Sequence, residues 1–291
     1  DFKIEEFNLS IDYDGKAAGT LSFSTTDSNI SVDSATGKVT GLAEGYAKVK
    51  VTDTTNNYTT YITVKVVNHN NEQLEVGSKF SVGLRVNGEV WTWGSNTYGE
   101  LGLDSNSAYE DKPLQVETLS NIISIGAGSY HAVAADENGN LYTWGLNNNG
   151  QLGNGTTTDS RKPIKIDGLS NIVKVDAYKN TTIALDSNGN VYAWGQGYEN
   201  APKLIWSDIV DISDNVMITK ERKVRRLEGE IISQTKNIVK VSANDSYILV
   251  VQADGQVLSI DANNTTTNLS MSNIIDVNCG NGYSYILDKA Q

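Results

Sequence analysis

The sequence specifies an all-β chain in two parts: a small β-sandwich at the N-terminus, then a tandem array of β units occupying most of the length. Three observations support this. Five-residue segments recur: Val90-Trp91-Thr92-Trp93-Gly94, Leu141-Tyr142-Thr143-Trp144-Gly145 and Val191-Tyr192-Ala193-Trp194-Gly195, at steps of 51 and 50 residues. Val224-Arg225-Arg226-Leu227-Glu228 and Val257-Leu258-Ser259-Ile260-Asp261 follow as weaker copies at steps of 33. A period of this size marks units that each bury an apolar face against their neighbours. Second, the first seventy residues lack this repeat and alternate apolar with polar. Third, Gly numbers 26 and Pro only 3 beside abundant Asn, Thr and Ser, a mix that suits short strands joined by polar turns.

In the N-terminal part, strands are expected around Phe23, at Ile30-Ser31-Val32, Lys38-Val39-Thr40, Ala47–Val51 and Tyr61–Val66. Every second residue is apolar, which puts one face of a pleated sheet in a core. Turn residues separate the strands at 33–37, 43–45 and 53–57. The line from Ser22 to Val51 carries Asp27, Val32-Asp33, Gly37-Lys38-Val39-Thr40-Gly41-Leu42 and Gly45-Tyr46-Ala47. It resembles the bacterial immunoglobulin-like group 2 family, with Phe23 where that family has Trp. The resemblance implies an Ig-like sandwich over residues 1–70, used as a stalk or spacer of bacterial surface proteins, and no catalytic residues.

In the repeat region the best unit runs from Ile122 to Leu169. Ile122–Ile125 reads as a strand and Gly126-Ala127-Gly128 as a bend. Tyr130–Ala135 returns, Asp136–Gly139 turns, and Leu141–Trp144 runs back. Asn-Gly or Asp-Gly between alternating strands is a strong hairpin signal, because both turn positions take positive φ. It recurs at Asn87-Gly88, Asn138-Gly139, Asn188-Gly189 and Asp254-Gly255, and the fourth copy breaks the rule with Glu221-Arg222. Gly128, His131, Gly139, Trp144-Gly145, Gly150-Gln151-Leu152-Gly153 and Pro163 resemble the regulator of chromosome condensation repeat family. The first copy has Gly77, Trp93-Gly94, Gly99-Glu100-Leu101-Gly102 and Pro113, with Phe80 in the place of His131; the third keeps Trp194-Gly195 but has Thr181 for the histidine and no Gln-Leu-Gly. The fourth and fifth copies lose Trp-Gly and shorten their outer loop. The resemblance implies a β-propeller, usually of seven blades, here a propeller-like array of five and a half repeats over residues 74–291. The sixth unit has only Ile274–Val277 and Tyr283–Asp288, while Lys79–Val86 near the start of the array is the counterpart of that last strand. A fragment, a small closed ring and an edge completed by another subunit are all open at this stage.

Formal net charge is −12 with no basic stripe, which argues against nucleic-acid binding. The one basic cluster, Lys220, Arg222, Lys223, Arg225 and Arg226, sits among Glu221, Glu228 and Glu230 and reads as a solvated strand and turn. No apolar run approaches membrane-spanning length, so insertion is not expected. The chain starts at Asp1, as a processed product or an excised segment would.

Chemistry is sparse. Cys279 is the only cysteine and His69 and His131 the only histidines, so neither a zinc signature nor a triad base in a suitable setting emerges. The resemblance makes His131 a blade-packing residue, His69 falls in a polar linker, and Cys279 reads as an inert core thiol. Asp136–Asn140 and Asp186–Asn190 look faintly like calcium loops but lack the twelfth-position carboxylate. No catalytic residue, metal site or cofactor is expected. Trp93, Trp144 and Trp194, with Gly94, Gly145, Gly195 and His131, are the structural repeat positions, the indoles packing between blades. Trp91, Tyr142 and Tyr192 form a second aromatic column, either inter-blade packing or a carbohydrate- or protein-binding surface. Loops Ser95–Asp111 and Leu146–Arg161 lie on one rim, where recognition usually resides. The expectation is a non-catalytic bacterial protein, extracellular or surface-displayed, whose spacer presents a module for a protein or glycan. The alternatives are a fibre subunit self-assembling through the unfinished blade and, remotely, a guanine-nucleotide exchange factor.

Overall fold

The computed structural model describes residues 2–4, 19–42, 45–68, 72–232, 234–279 and 284–288. The chain folds as two units, Asp1–Asn71 and Glu72–Gln291. The first contains β1 (Phe2–Ile4), β2 (Leu21–Ser24), β3 (Ile30–Val32), β4 (Val39–Gly41), β5 (Gly45–Asp53) and β6 (Tyr58–Asn68). Strands β1-β6-β5-β2 form one antiparallel sheet, and β3 with β4 a separate hairpin. Ala47, Val49 and Val51 of β5 alternate inward with Ile62, Val64 and Val66 of β6, and Ile30 closes the core between the sheets. Turn chemistry fixes the ends. The Asp33 carboxylate accepts from the Thr36 N–H at 2.7 Å, and Asp27 Oδ2 accepts from the Lys48 N–H at 2.6 Å.

Among the described residues the second unit forms five four-stranded antiparallel sheets and one hairpin, each a simple meander. Blade 1 is β7 (Gln73–Val76), β8 (Phe80–Leu84), β9 (Val90–Ser95) and β10 (Tyr109–Gln115). Blade 2 is β11 (Ile122–Ala127), β12 (His131–Asp136), β13 (Leu141–Gly145) and β14 (Ser160–Ile166). Blade 3 is β15 (Ile172–Tyr178), β16 (Thr181–Asp186), β17 (Val191–Gly195) and β18 (Lys203–Trp206). Blade 4 is β19 (Ile209–Ser213), β20 (Val216–Thr219), β21 (Val224–Arg226) and β22 (Ile231–Ile232). Blade 5 is β23 (Ile238–Ala243), β24 (Tyr247–Gln252), β25 (Val257–Asp261) and β26 (Thr266–Asn268); β27 (Ile274–Cys279) and β28 (Ser284–Asp288) form the last hairpin.

First strands of successive sheets pack side by side, and the shared cores lie between blades. Two sequence expectations need correction here. Gly126 and Ala127 are not a bend; they continue β11 in register with Val133 and Ala132. Gly126 is small because a Cβ there would lie 2.7 Å from the Asp176 backbone in blade 3. Glu221-Arg222 does not break the hairpin rule either: Arg222 takes the left-handed conformation at φ 61, closing the turn on Thr219 O, at a cost of about 1 kcal/mol relative to glycine.

The end of the array shows what a neighbouring blade does. Leu74 is 61% exposed, whereas its register counterparts Ile125 and Val175 are 2% and 1% exposed beneath the preceding blade. At the other end Tyr285 is 69% exposed, against 0% for the corresponding Val133.

Charged residues gather on the first strands. Lys174 Nζ meets Asp211 Oδ1 at 2.6 Å, and the Asp214 N–H donates to Asp176 Oδ2 at 2.8 Å. Burial, reinforced by Asp176, pushes the Asp214 carboxyl up to about 7. Burial raises Asp176 as well, and raises Glu75 with help from Asp176 and Asp214.

Candidate functional site

The rim carrying the long loops is built by one device used twice. After Trp93-Gly94-Ser95 comes Asn96, and after Trp144-Gly145-Leu146 comes Asn147, both fully buried. Asn147 Oδ1 accepts from the Leu152 N–H at 2.9 Å, and its Nδ2 donates to Thr156 O at 3.1 Å and Thr158 O at 3.0 Å. Asn96 does the same work, accepting from the Leu101 N–H and donating to Ser105 O and Ser107 O. Each loop is thereby folded around one amide. The Trp-Gly-x-Asn spacing was visible in two copies, but nothing in a single sequence says that an asparagine in an Asn-rich loop is the one inside.

Each folded loop then latches the next blade. Trp144 Nε1–H donates to Glu100 O at 2.9 Å, and Trp194 Nε1–H donates to Gln151 O at 2.9 Å. Both indoles are 0% exposed. Trp93, in blade 1, is only half-buried. Gly94, Gly145 and Gly195 have φ of 104, 102 and 100, and a Cβ would fall 2.4–2.5 Å from the carbonyl oxygens of Lys79, Tyr130 and Asn180. Arg161 ties neighbouring loops together, its guanidinium donating to Asn96 O, Ser105 O and Thr97 O, each at 3.1 Å. The result is a preordered rim whose exposed tip is residues 154–159.

His131 lies wholly within this scaffold. The Thr182 hydroxyl gives its one proton to Gln151 O at 2.7 Å, so the contact at 2.8 Å between Thr182 Oγ1 and His131 Nε2 has the ring donating. Nδ1 then carries a bare lone pair, buried and without a partner. Burial drives the pKa down to about 3, so the ring is neutral and does no acid–base work near neutral pH.

Trp91, Tyr142 and Tyr192 are half-buried and tied to their own hairpins. Trp91 Nε1–H donates to Glu89 at 3.2 Å under the Arg85 guanidinium, and the Tyr142 hydroxyl donates to Asp136 at 3.2 Å. Tyr142 and Tyr192 also pack against inter-blade cores. The calcium-like turns are self-satisfied: Asp136 takes the N–H groups of Asn138 and Asn140 and the Asn140 amide, and Asp186 repeats the pattern with Asn188 and Asn190. Burial raises the Cys279 thiol, whose Sγ faces Ser242 O at 3.4 Å. His69 lies outside the described residues. Among the described residues no group of three or more His, Cys, Asp or Glu could hold a metal, and no helix is long and apolar enough to cross a membrane.

Between blades 3 and 4 the latch is missing. Blade 3 has no Gly-Gln-Leu-Gly loop, Leu227 stands at the tryptophan position, and a cavity of about 340 Å3 opens there. Trp206, unassigned by sequence, caps this seam: its Nε1–H donates to Leu227 O at 2.9 Å, and Arg225 stacks 3.4 Å from its ring centroid. The basic cluster is largely occupied, with Arg226 donating to Asn264 and to Asp261 O, and Lys223 pairing with Glu221 at 3.2 Å.

Meander blades latched side by side define a β-propeller-type repeat module. Residues 87–135 and 138–185 match a family model described as the regulator of chromosome condensation (RCC1) repeat, and residues 72–100, 122–151 and 172–200 match a second model of that description. Among curated relatives, human E3 ubiquitin-protein ligase HERC2 is 46% identical over 87 residues, 29% of this chain and 2% of that protein. Protein pim1 of Schizosaccharomyces pombe is 42% identical over 86 residues, 28% of this chain and 15% of that protein. The matched part is thus a small fraction of either relative. Human WBSCR16 superposes with a TM-score of 0.65 at 16% identity, covering 75% of this chain and 72% of that one. Saccharomyces cerevisiae Prp20p superposes at 0.59 and 16% identity, covering 84% and 80%. At such identities the likeness establishes the propeller-type fold alone.

Proposed function

We propose that the second unit is a non-catalytic protein-recognition module, and that the first is an Ig-like spacer presenting it outside a bacterial cell. The observation that carries this reading is the preordered rim. Loops folded around Asn96 and Asn147 and clamped by Arg161 present backbone and small polar groups with little ordering entropy left to lose on binding. Prp20p, of the same fold, is described as binding Gsp1p and histones, which makes protein partners the class to expect for this module. The acidic charge of this chain disfavours nucleic acid.

The full chain is to be screened on protein and glycan arrays. A protein ligand is expected, with binding weakened about tenfold or more when residues 154–158 are replaced by a Gly-Ser segment. A chain that finds no ligand on either array and turns over a substrate contradicts the proposal. A second reading, self-assembly through the array ends, draws on the exposure of Leu74, Val76, Tyr285 and Leu287. Concentration-dependent association in sedimentation would favour it; a monomer at all concentrations removes it.

A further inference from the structure

The cavity between blades 3 and 4 is lined by Tyr178, Lys179, Thr181, Gln196 and Gly197 on one side, and by Asn215, Arg226, Leu227 and Glu228 on the other. It occupies the seam between blades 3 and 4, where no Gly-Gln-Leu-Gly loop offers a carbonyl to an indole of the next blade.

Its hydrogen-bonding balance is uneven. Lys179 Nζ pairs with Asp245 at 2.9 Å, and the Tyr178 hydroxyl donates to the same carboxylate. Arg226 is engaged with Asn264 Oδ1 at 3.2 Å and Asp261 O at 2.9 Å. The Thr181 hydroxyl donates to Gln196 O at 3.0 Å, and Gln196 Oε1 accepts from Asn180. The Tyr178, Lys179 and Thr181 donors, with Nε and one Nη of Arg226, are therefore committed. Two acceptors are not. Asn215 Oδ1 is buried with no hydrogen-bond partner, and the exposed Glu228 carboxylate has none among the described residues. Glu228 reaches across the opening, since a Cβ on Gly197 would lie 3.3 Å from its Oε1. Beside the opening, burial first and the Glu228 charge second push the Tyr198 phenol up to about 12. A buried acceptor without a donor costs free energy that a ligand bearing donors recovers.

We propose that this notch receives the positively charged side chain, lysine or arginine, of a protein partner, with Glu228 as counter-ion and Asn215 Oδ1 as second acceptor. The volume suits one long side chain and not a folded element, and the net charge of −12 draws basic partners toward the surface. This rests on the protein-recognition reading and names a specificity pocket within it, apart from the loop tip.

The test is a titration of the full chain, followed by backbone amide chemical shifts, with Nα-acetyl-arginine and Nα-acetyl-lysine N-methylamides. The citrulline analogue serves as neutral control and agmatine as a free amine. Saturable shifts at Gly197, Asn215 and Glu228 are expected, with a dissociation constant on the order of 1 mM for so small a probe. Glu228→Gln should weaken binding about tenfold with the spectrum otherwise intact, and citrulline should give no saturation. Absence of saturable shifts, equal binding by citrulline, or an unchanged constant in Glu228→Gln overturns the pocket. Agmatine binding about tenfold tighter than the blocked arginine overturns the assignment to a protein side chain. The Gly-Ser loop variant retains the notch, so failure of the titration and loss of array binding are separate results.

Discussion

Replacing Trp144 with alanine is expected to destabilise the propeller unit by about 3–5 kcal/mol. The indole is fully buried in the cluster that joins blades 1 and 2, beside Leu101, Ile122 and Ala132. Removing it leaves a cavity that surrounding strands cannot close, because those strands are fixed by ladders on both sides. It also strands Glu100 O, whose donor is the Trp144 Nε1–H, adding about 1 kcal/mol or more. Trp91→Ala, at a half-buried site on its own hairpin, should cost far less. Chemical denaturation followed by tryptophan emission measures the difference, and since all five tryptophans lie beyond residue 72 the signal reports on this unit alone. Equal, small effects at both positions would contradict the packing scheme.

The second large effect is in pH. His131 has a folded pKa of about 3, below its unfolded value, so its contribution is complete above about 6.5 and is lost as pH falls toward 3. Asp214 works in the opposite sense. With a folded pKa raised to about 7, it favours the folded state while protonated, and this advantage disappears as pH rises from about 4 through 7. The two slopes, each at most about 1.4 kcal/mol per pH unit, oppose one another over the shared range. Substitution separates them. His131→Phe, with the residue that Phe80 already supplies at the equivalent place, should gain about 2 kcal/mol relative to the parent between pH 7 and pH 5. Asp214→Asn should gain relative to the parent as pH rises over the same interval. Parallel profiles for parent and variants would show that neither group titrates differently on folding.

The β architecture was legible because it is written locally. Asn-Gly turns, period-two alternation and the recurrent Trp-Gly located β13, β17 and their hairpins with little ambiguity. What stayed hidden depends on which partner a residue meets once the chain is folded, and no local pattern announces that. Gly126 looked like a bend until the Asp176 backbone was seen against it. Trp206 had no motif, because its role is to cap a seam whose tryptophan has become Leu227. Asn96 and Asn147 were indistinguishable from other loop asparagines, although they organise the rim. The loss of Gln-Leu-Gly from the third copy was visible, but nothing in the sequence says that this loss opens a notch or which residues line it.

The central claim is that each rim loop is latched onto the next blade by a buried indole. Hydrogen exchange of the indole Nε1–H groups tests it most directly. Trp144 and Trp194 should exchange slower than Trp91 by orders of magnitude, and both should accelerate when the Asn147→Ala substitution releases the loop that carries Gln151 O, Trp194 the more strongly. Exchange of Trp144 and Trp194 at the rate of a solvent-exposed indole would contradict the account.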